Sequence, residues 1–175
     1  RFYTEFANPS KTTYSWNASL PRSSDAFVSG DLAVYFGFAS EYGTLAARNP
    51  NLHFSVGLVP QLQGNSAHLT FGQLTGLALS RSAANPQGAL VVAQSLTNQR
   101  AAAAFTSALF LPPARRDVGL DASNNAAMQT FIQSSLIARG WLDPAPTQTD
   151  ALFKTMIDSV VSGLDGEPLG LAFYR

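Results

Sequence analysis

The sequence predicts a helix-rich α/β protein. Three observations carry this prediction: a helix–strand–helix pattern over residues 23–42, a second strand-like run over residues 53–61, and helical patterns that dominate from residue 86 onward. With 175 residues, 46% of them hydrophobic, the chain has the size and composition of a globular domain.

Residues 23–48 form the most informative stretch. The side chains of Ser23, Ser24 and Asp25 are suited to capping a first helical turn, and Gly30 stands where a positive φ would end that helix. Residues 32–36 are a continuous apolar run of strand length, which predicts a buried strand. After Gly37, a helix is predicted over residues 38–48.

A second strand is predicted over residues 53–61, after a turn at Asn49-Pro50-Asn51. It ends at Pro60. Residues 68–80 are expected to be extended chain, interrupted by Gly72 and Gly76.

Helices follow in the second half of the chain. Pro86 is predicted to occupy the first position of one helix, where its missing N–H carries no penalty, and Thr97 to cap another over residues 98–111. A third is expected over residues 123–139 with Gly140 as its stop, and a fourth, capped by Thr149 or Asp150, to residue 162. A short last helix is expected within residues 164–175. The apolar face expected to be buried on the fourth helix comprises Leu152, Phe153, Met156, Ile157, Val160 and Val161.

Composition excludes several classes of function. Eleven basic and eleven acidic residues balance, so the basic patch that nucleic acid requires is not expected. No apolar run reaches membrane-spanning length. The chain has no cysteine, which excludes disulfides, thiol catalysis and cysteine metal sites. Three aromatics among the first six residues are unusual for a chain start, and we expect the sequence to be part of a longer protein.

Residues that could carry chemistry are few. His53 lies in a strand pattern and His68 at a strand entrance, and no metal-binding spacing links them, so neither a metal nor a cofactor is expected. Glu41, Asp143 and Asp150 lie at helix starts or in loops, where they serve as helix-terminal charges or, if paired, as an acid and a base. These residues favour a binding fold over an enzyme.

Two other features have more than one interpretation. Trp141 is either a core residue or a platform on which a sugar ring stacks. Arg115 and Arg116 are expected to be solvated charges on the segment that connects two helices, or to pair with Asp117.

Four blocks, in this order, resemble the carboxy-terminal half of family 1 extracellular solute-binding proteins of ABC importers. They are AFVSGDLAVYFGFAS, FSVGLVPQ, GLALSRSAANPQGALVVAQSL and WLDPAPTQTDALFKTMIDSVVSGLDGEPLGLA. The third is similar to the family's I-S-x-x-S-x-N-P run. The resemblance implies an incomplete periplasmic-binding-protein-like fold of type II. Residues 1–62 and 114–175 would belong to the second lobe, residues 63–113 would return to the first lobe, and the links near residues 61–66 and 112–117 would be hinges.

The resemblance also implies ligand-binding positions and partners. The implied positions are Phe38, Ala39, Ser40, Glu41, Gly72, Gln73, Leu74, Trp141, Asp143 and Asp150. The partners would be a small solute, most simply a sugar, and a membrane permease that reads the closed form; nucleic acid is not among them. The protein would be a monomer, extracellular or periplasmic, and held by a lipid anchor in its full-length form.

Three hypotheses of function follow. The first is a non-catalytic carbohydrate-binding protein that closes two lobes on its ligand. The second is the same fold adapted to a polyol or a peptide. It is favoured because the aromatic that sugar binders often carry within residues 37–41 is missing at its usual position, although Phe38 and Tyr42 lie beside that position. The third is a small glycoside hydrolase that uses Glu41 and Asp150.

Overall fold

The computed structural model describes residues 2–64, 67–119 and 125–162. Two compact units are distinguished, one formed by residues 1–22 with 141–175 and the other by residues 23–140. The described elements, in chain order, are α1 (Phe2–Glu5), α2 (Ser23–Ser29), a 3-10 turn (Ala39–Glu41), α3 (Tyr42–Arg48), β1 (Thr70–Phe71), α4 (Pro86–Thr97), α5 (Gln99–Leu109), α6 (Ala126–Ile137), β2 (Ala138–Arg139) and α7 (Pro146–Val161). The chain is therefore a helix-rich α/β protein.

Three helices begin at asparagine caps. The side-chain oxygens of Asn85, Asn98 and Asn125 accept hydrogen bonds from the third backbone N–H of α4, α5 and α6. Each cap satisfies a donor that the first helical turn leaves unpaired. Pro86 is the first residue of α4, as the sequence predicts.

Thr97 does not cap α5. Its hydroxyl donates to the carbonyl of Ala93 within α4, so Thr97 is the last residue of that helix. The cap of α5 is Asn98, one residue later.

The two predicted strands are absent as hydrogen-bonded strands. A strand needs a partner to form a ladder, and in the described chain no backbone hydrogen bond joins residues 32–36 to residues 53–61. The described sheet is instead the parallel pair β1–β2, with Thr70 opposite Ala138 and Phe71 opposite Arg139. Gly140 is consequently not the end of α6, which stops at Ile137 where the chain turns into β2.

Several aromatic rings pack against one another in the 23–140 unit. Tyr42 contacts three other rings, with centroid distances of 5.1 Å to Phe110, 5.4 Å to Phe54 and 5.8 Å to Phe131. Phe27 extends the group by contacting Phe54 at 5.4 Å and Tyr35 at 5.5 Å. We call these residues the aromatic cluster: Phe27, Tyr35, Tyr42, Phe54, Phe110 and Phe131. The buried apolar side chains of the described chain are Leu45, Val118, Met128 and, within the cluster, Phe131.

Two polar ties fix α2 against α3. The guanidinium of Arg48 pairs with the carboxylate of Asp25 at 2.8 Å. The side-chain amide of Asn49 donates to the carbonyl of Val28 at 2.7 Å. Gly30 ends α2 with φ +88°, which confirms the predicted left-handed position.

In the other unit, α7 starts earlier than the sequence predicts. Ala145 is its cap and Pro146 its first residue, because proline is preorganised for that position, so Thr149 and Asp150 lie inside the helix. The apolar face of α7 was predicted to be buried, but Phe153 and Val160 are 46% and 48% exposed. Among the described elements, α7 contacts α1, a helix of four residues. The predicted helix at residues 164–175 lies outside the described residues.

No helix in the described ranges is both long enough and apolar enough to cross a membrane.

Candidate functional site

A cavity of about 650 Å³ opens in the 23–140 unit beside the aromatic cluster. Its volume lies within the range of small-molecule sites, about 300–1,000 Å³. Two segments supply most of its lining, residues 32–38 and residues 52–60, which we call the wall segments. The two segments predicted as strands therefore lie within the lining of this cavity.

The cavity wall is apolar and aromatic. Phe36 and Val34 line it and are each 67% exposed, and Phe38 lines it at 44% exposure. The lining residues that the structure describes include no aspartate, glutamate, lysine, arginine, asparagine or glutamine, and the polar ones among them are His53, Ser55 and the two tyrosines. Such a wall suits a neutral ligand with apolar groups.

The predicted site residues 38–41 lie together at one end of the first wall segment. Phe38 precedes the 3-10 turn, and its ring meets that of Phe71 edge-on at 5.9 Å. Ala39 and Glu41 are half-buried, and Ser40 is exposed. The contact with Phe71 brings this group next to β1.

The carboxylate of Glu41 is engaged within its own turn. One oxygen accepts the hydroxyl of Tyr35 at 2.8 Å and the other accepts the backbone N–H of Phe38 at 2.7 Å. The backbone N–H of Glu41 in turn donates to the carbonyl of Phe38 at 3.0 Å. Glu41 therefore fixes the direction in which the chain leaves the cavity wall.

Gly72 follows β1 and extends its pairing. The backbone N–H of Gly72 donates to the carbonyl of Arg139 at 3.1 Å, and a Cβ at Gly72 would lie 2.7 Å from that of Ala138. The side chains of Gln73 and Leu74 are exposed, Leu74 by 85%. Gly72 is thus a position of close approach between two backbones.

The remaining predicted site residues lie in the unit that contains α7. Trp141 is 63% exposed. Asp143 accepts the backbone N–H of Ala145 and the hydroxyl of Thr149, both at 3.0 Å, and thereby organises the start of α7. Asp150 is exposed on the first turns of that helix.

Sequence reasoning missed the aromatic residues that form the cavity. Phe27, Tyr35 and Phe54 line it, and Phe71 supports its rim. The available signal was the alternation of Phe54, Val56 and Leu58 with smaller or polar residues, which indicates a segment with one apolar face.

Arg115 and Asp117 form an ion pair outside the cavity. Arg115 makes a bidentate contact with Asp117 and also donates to the carbonyl of Thr97 at the end of α4. Hydrogen bonding from Arg115 lowers the pKa of Asp117, and the same hydrogen bond raises the pKa of Arg115. The expected pairing of the Arg115-Arg116 connector with Asp117 is confirmed for Arg115. Across residues 2–64, 67–119 and 125–162, no three histidine or acidic side chains cluster as a metal site.

No protein-family model matches the chain, and a comparison with curated proteins finds no relative.

Proposed function

We propose that this chain is part of the solute-binding component of an ABC importer, a non-catalytic protein that holds a small solute and presents it to a membrane permease. The family resemblance of the four sequence blocks motivates the proposal. The observation that carries it is the cavity of about 650 Å³ with exposed aromatic surface at Phe36 and Phe38. Such a protein acts outside the cytoplasmic membrane.

A carbohydrate is the first solute to test. Aromatic faces pack against the apolar face of a sugar ring, and Phe38 is an aromatic residue of the lining that is 44% exposed. Backbone groups of the wall segments would then supply hydrogen bonds to the hydroxyls.

The lining also favours a second candidate, a peptide. Sugars and polyols carry many hydroxyls, whereas few polar side chains line the described part of this cavity. A solute with alternating apolar groups and amides matches the wall better. The protein would remain a solute-binding protein with a different ligand class.

The local bonding of Glu41 favours binding over hydrolysis. A general acid or nucleophile presents its carboxylate to the substrate, while both oxygens of Glu41 accept hydrogen bonds from Tyr35 and Phe38. A hydrolase would lose its turnover of a chromogenic glycoside on Glu41→Gln; a binding protein shows no turnover in either form.

Thermal unfolding with a panel of oligosaccharides, polyols and short peptides tests the proposal. A ligand that binds only the folded chain raises its stability by about 2.7 kcal/mol at a concentration a hundred times the dissociation constant. The shift should disappear in Phe38→Ala. It should persist in Phe105→Ala, a matched control on α5 whose ring is 50% exposed and does not line the cavity. An equal loss in both variants would contradict a site at Phe38.

A further inference from the structure

The lining of the cavity includes one aromatic ring that stands apart from the aromatic cluster. Phe36 lines the cavity, is 67% exposed and, in the described part of the chain, meets no other ring. Every other phenylalanine or tyrosine of the lining contacts at least one ring. Because aromatic rings in proteins favour offset or edge-on pairs, Phe36 is the lining ring for which the described chain supplies no ring partner.

Phe38, another exposed ring of the lining, is held by a closed turn. Its backbone N–H donates to the carboxylate of Glu41 at 2.7 Å, and its ring meets that of Phe71 at 5.9 Å. A Cβ at Gly37 would lie 2.5 Å from a ring carbon of Tyr35 and 2.7 Å from a carboxylate oxygen of Glu41, so a side chain there would force these groups to move. Phe38 is therefore positioned before any ligand arrives, and such preorganisation favours affinity.

The side chains of the lining disfavour a charged or a heavily hydroxylated ligand. Since the described lining contains no aspartate, glutamate, lysine or arginine, a charged solute would lose hydration there without gaining an ion pair. The hydroxyl of Tyr35 already donates to Glu41. The polar side chains that remain for a solute are those of His53, Ser55 and Tyr42. This set matches a neutral solute with a large apolar body and few polar groups.

We propose that this cavity binds a neutral aromatic solute, whose ring system packs against Phe36 and Phe38. The inference rests on the proposed solute-binding function and names the ligand class of the same site. The two exposed rings provide the selectivity for an aromatic body. His53 and Ser55, both exposed at alternate positions of the second wall segment, are the side chains that would bond a hydroxyl on the solute.

A matched set of three probes tests the ligand class. 2-Naphthol is a neutral aromatic alcohol, decahydro-2-naphthol has the same skeleton and hydroxyl without aromatic rings, and 2-naphthoate carries a carboxylate in place of the hydroxyl. Titration calorimetry with the full chain at neutral pH measures the stoichiometry and the dissociation constants. We expect a single 2-naphthol per chain, bound roughly three- to tenfold more tightly than the saturated alcohol because of ring packing. The anion should bind at least about tenfold more weakly than 2-naphthol.

A substitution of the unpartnered ring gives the matched comparison on the protein side. Phe36→Leu keeps an apolar side chain and removes the ring at a residue that is 67% exposed, so folding should be preserved. Phe105→Leu is the control, on α5 at 50% exposure and outside the lining. We expect the preference for 2-naphthol over the saturated alcohol to fall at least about twofold in the first variant and to be unchanged in the second.

Each contrary outcome has a distinct meaning. Equal affinity for the two alcohols, an unchanged preference in Phe36→Leu, or an equal loss of preference in both variants overturns ring packing at Phe36. Binding of 2-naphthoate as tightly as 2-naphthol overturns the neutral ligand class.

Two further outcomes separate this inference from the proposed function. Binding of a sugar or a peptide without binding of 2-naphthol overturns the inference and leaves the solute-binding function standing, while binding of no solute overturns both. Self-association in sedimentation that Phe36→Asp abolishes assigns the cavity to a second copy of the chain and also overturns the inference.

Discussion

The rings of Tyr42 and Phe110 stack with centroids 5.1 Å apart, although Phe110 occupies the left-handed region at φ 53° and ψ 42°. This conformation is unfavourable for a residue with a Cβ, by about 1–2 kcal/mol. Phe110 ends α5, and its ring also meets that of Phe131 at 6.2 Å. Ring packing in the aromatic cluster thus holds a backbone geometry that glycine would adopt freely.

Replacing Phe110 separates ring packing from backbone strain. Phe110→Ala removes the ring and keeps the strain, so we expect a loss of about 2–3 kcal/mol, below the 3–5 kcal/mol typical of a fully buried phenylalanine. Phe110→Gly removes both and should be more stable than the alanine variant by roughly 1 kcal/mol. Denaturant unfolding measures the difference. The opposite order, as in a helix interior, would contradict a left-handed conformation at this position.

Glu41 and Tyr35 should behave as a coupled pair. Tyr35→Phe removes the hydroxyl that donates to Glu41, and we expect it to cost about 0.5–1.5 kcal/mol. Glu41→Ala loses this bond and the one from the Phe38 N–H, so it should cost about 1–3 kcal/mol. In a double-mutant cycle measured by denaturant unfolding, the coupling energy should be at least about 0.5 kcal/mol. If the losses in the two single variants add up to the loss in the double variant, the hydrogen bond between Tyr35 and Glu41 makes no contribution to stability.

Substitutions at Gly72 and Ala138 should partly compensate for each other in their effect on stability. Gly72→Ala places a methyl group 2.7 Å from the Cβ of Ala138, and overpacking of this kind costs about 1–3 kcal/mol. Ala138→Gly removes the opposing methyl, so the double variant should be less destabilised than the sum of the single variants. Thermal unfolding of the two single variants and the double variant measures these losses of stability. If the loss in the double variant equals the sum of the losses in the single variants, the two backbones are further apart than the structure shows.

The ion pair between Arg115 and Asp117 predicts an acid-sensitive contribution to stability. Because the pKa of Asp117 is lowered in the folded chain, the pair stabilises above the carboxyl's unfolded pKa, and this contribution is lost as the pH falls through the lower folded pKa. Both side chains are about half exposed, at 43% and 54%, so the effect should be small and screened by salt.

The measurement compares unfolding midpoints at about pH 6 and about pH 2 for the parent chain and Arg115→Gln. The variant should lose less stability on acidification, and the difference between the proteins should shrink in high salt. Arg116→Gln is the neighbouring control. An identical acid dependence in parent and Arg115→Gln would exclude the pair as its source.

The sequence predicted well where a local signal decides the structure. Pro86 begins α4, Gly30 takes a positive φ, and α3 follows the turn after Gly37, because each depends on the conformational preference of a residue and its near neighbours. The cavity was harder to predict from the sequence than the helices. The family resemblance points to Phe38 to Glu41, but Phe27 and Phe54, which also line the cavity, are distant from them in sequence.

The strands and the α7 face show why prediction was limited. An apolar run over residues 32–36 indicates a buried extended segment, but whether it becomes a strand depends on a partner that the run does not encode. The periodicity of α7 likewise marks one apolar face without specifying what covers it.

The pairing of β1 with β2 has a consequence for the rate of folding. The chain between Thr70 and Ala138 includes α4, α5 and α6, so forming this two-residue pair closes a long loop, and the entropy cost rises with the logarithm of loop length. With two residues in each strand, the pairing offsets little of this entropy cost when the loop closes. We therefore expect the pair to form after the helices, on the native side of the folding barrier, where weakening it would speed unfolding and leave the folding rate nearly unchanged.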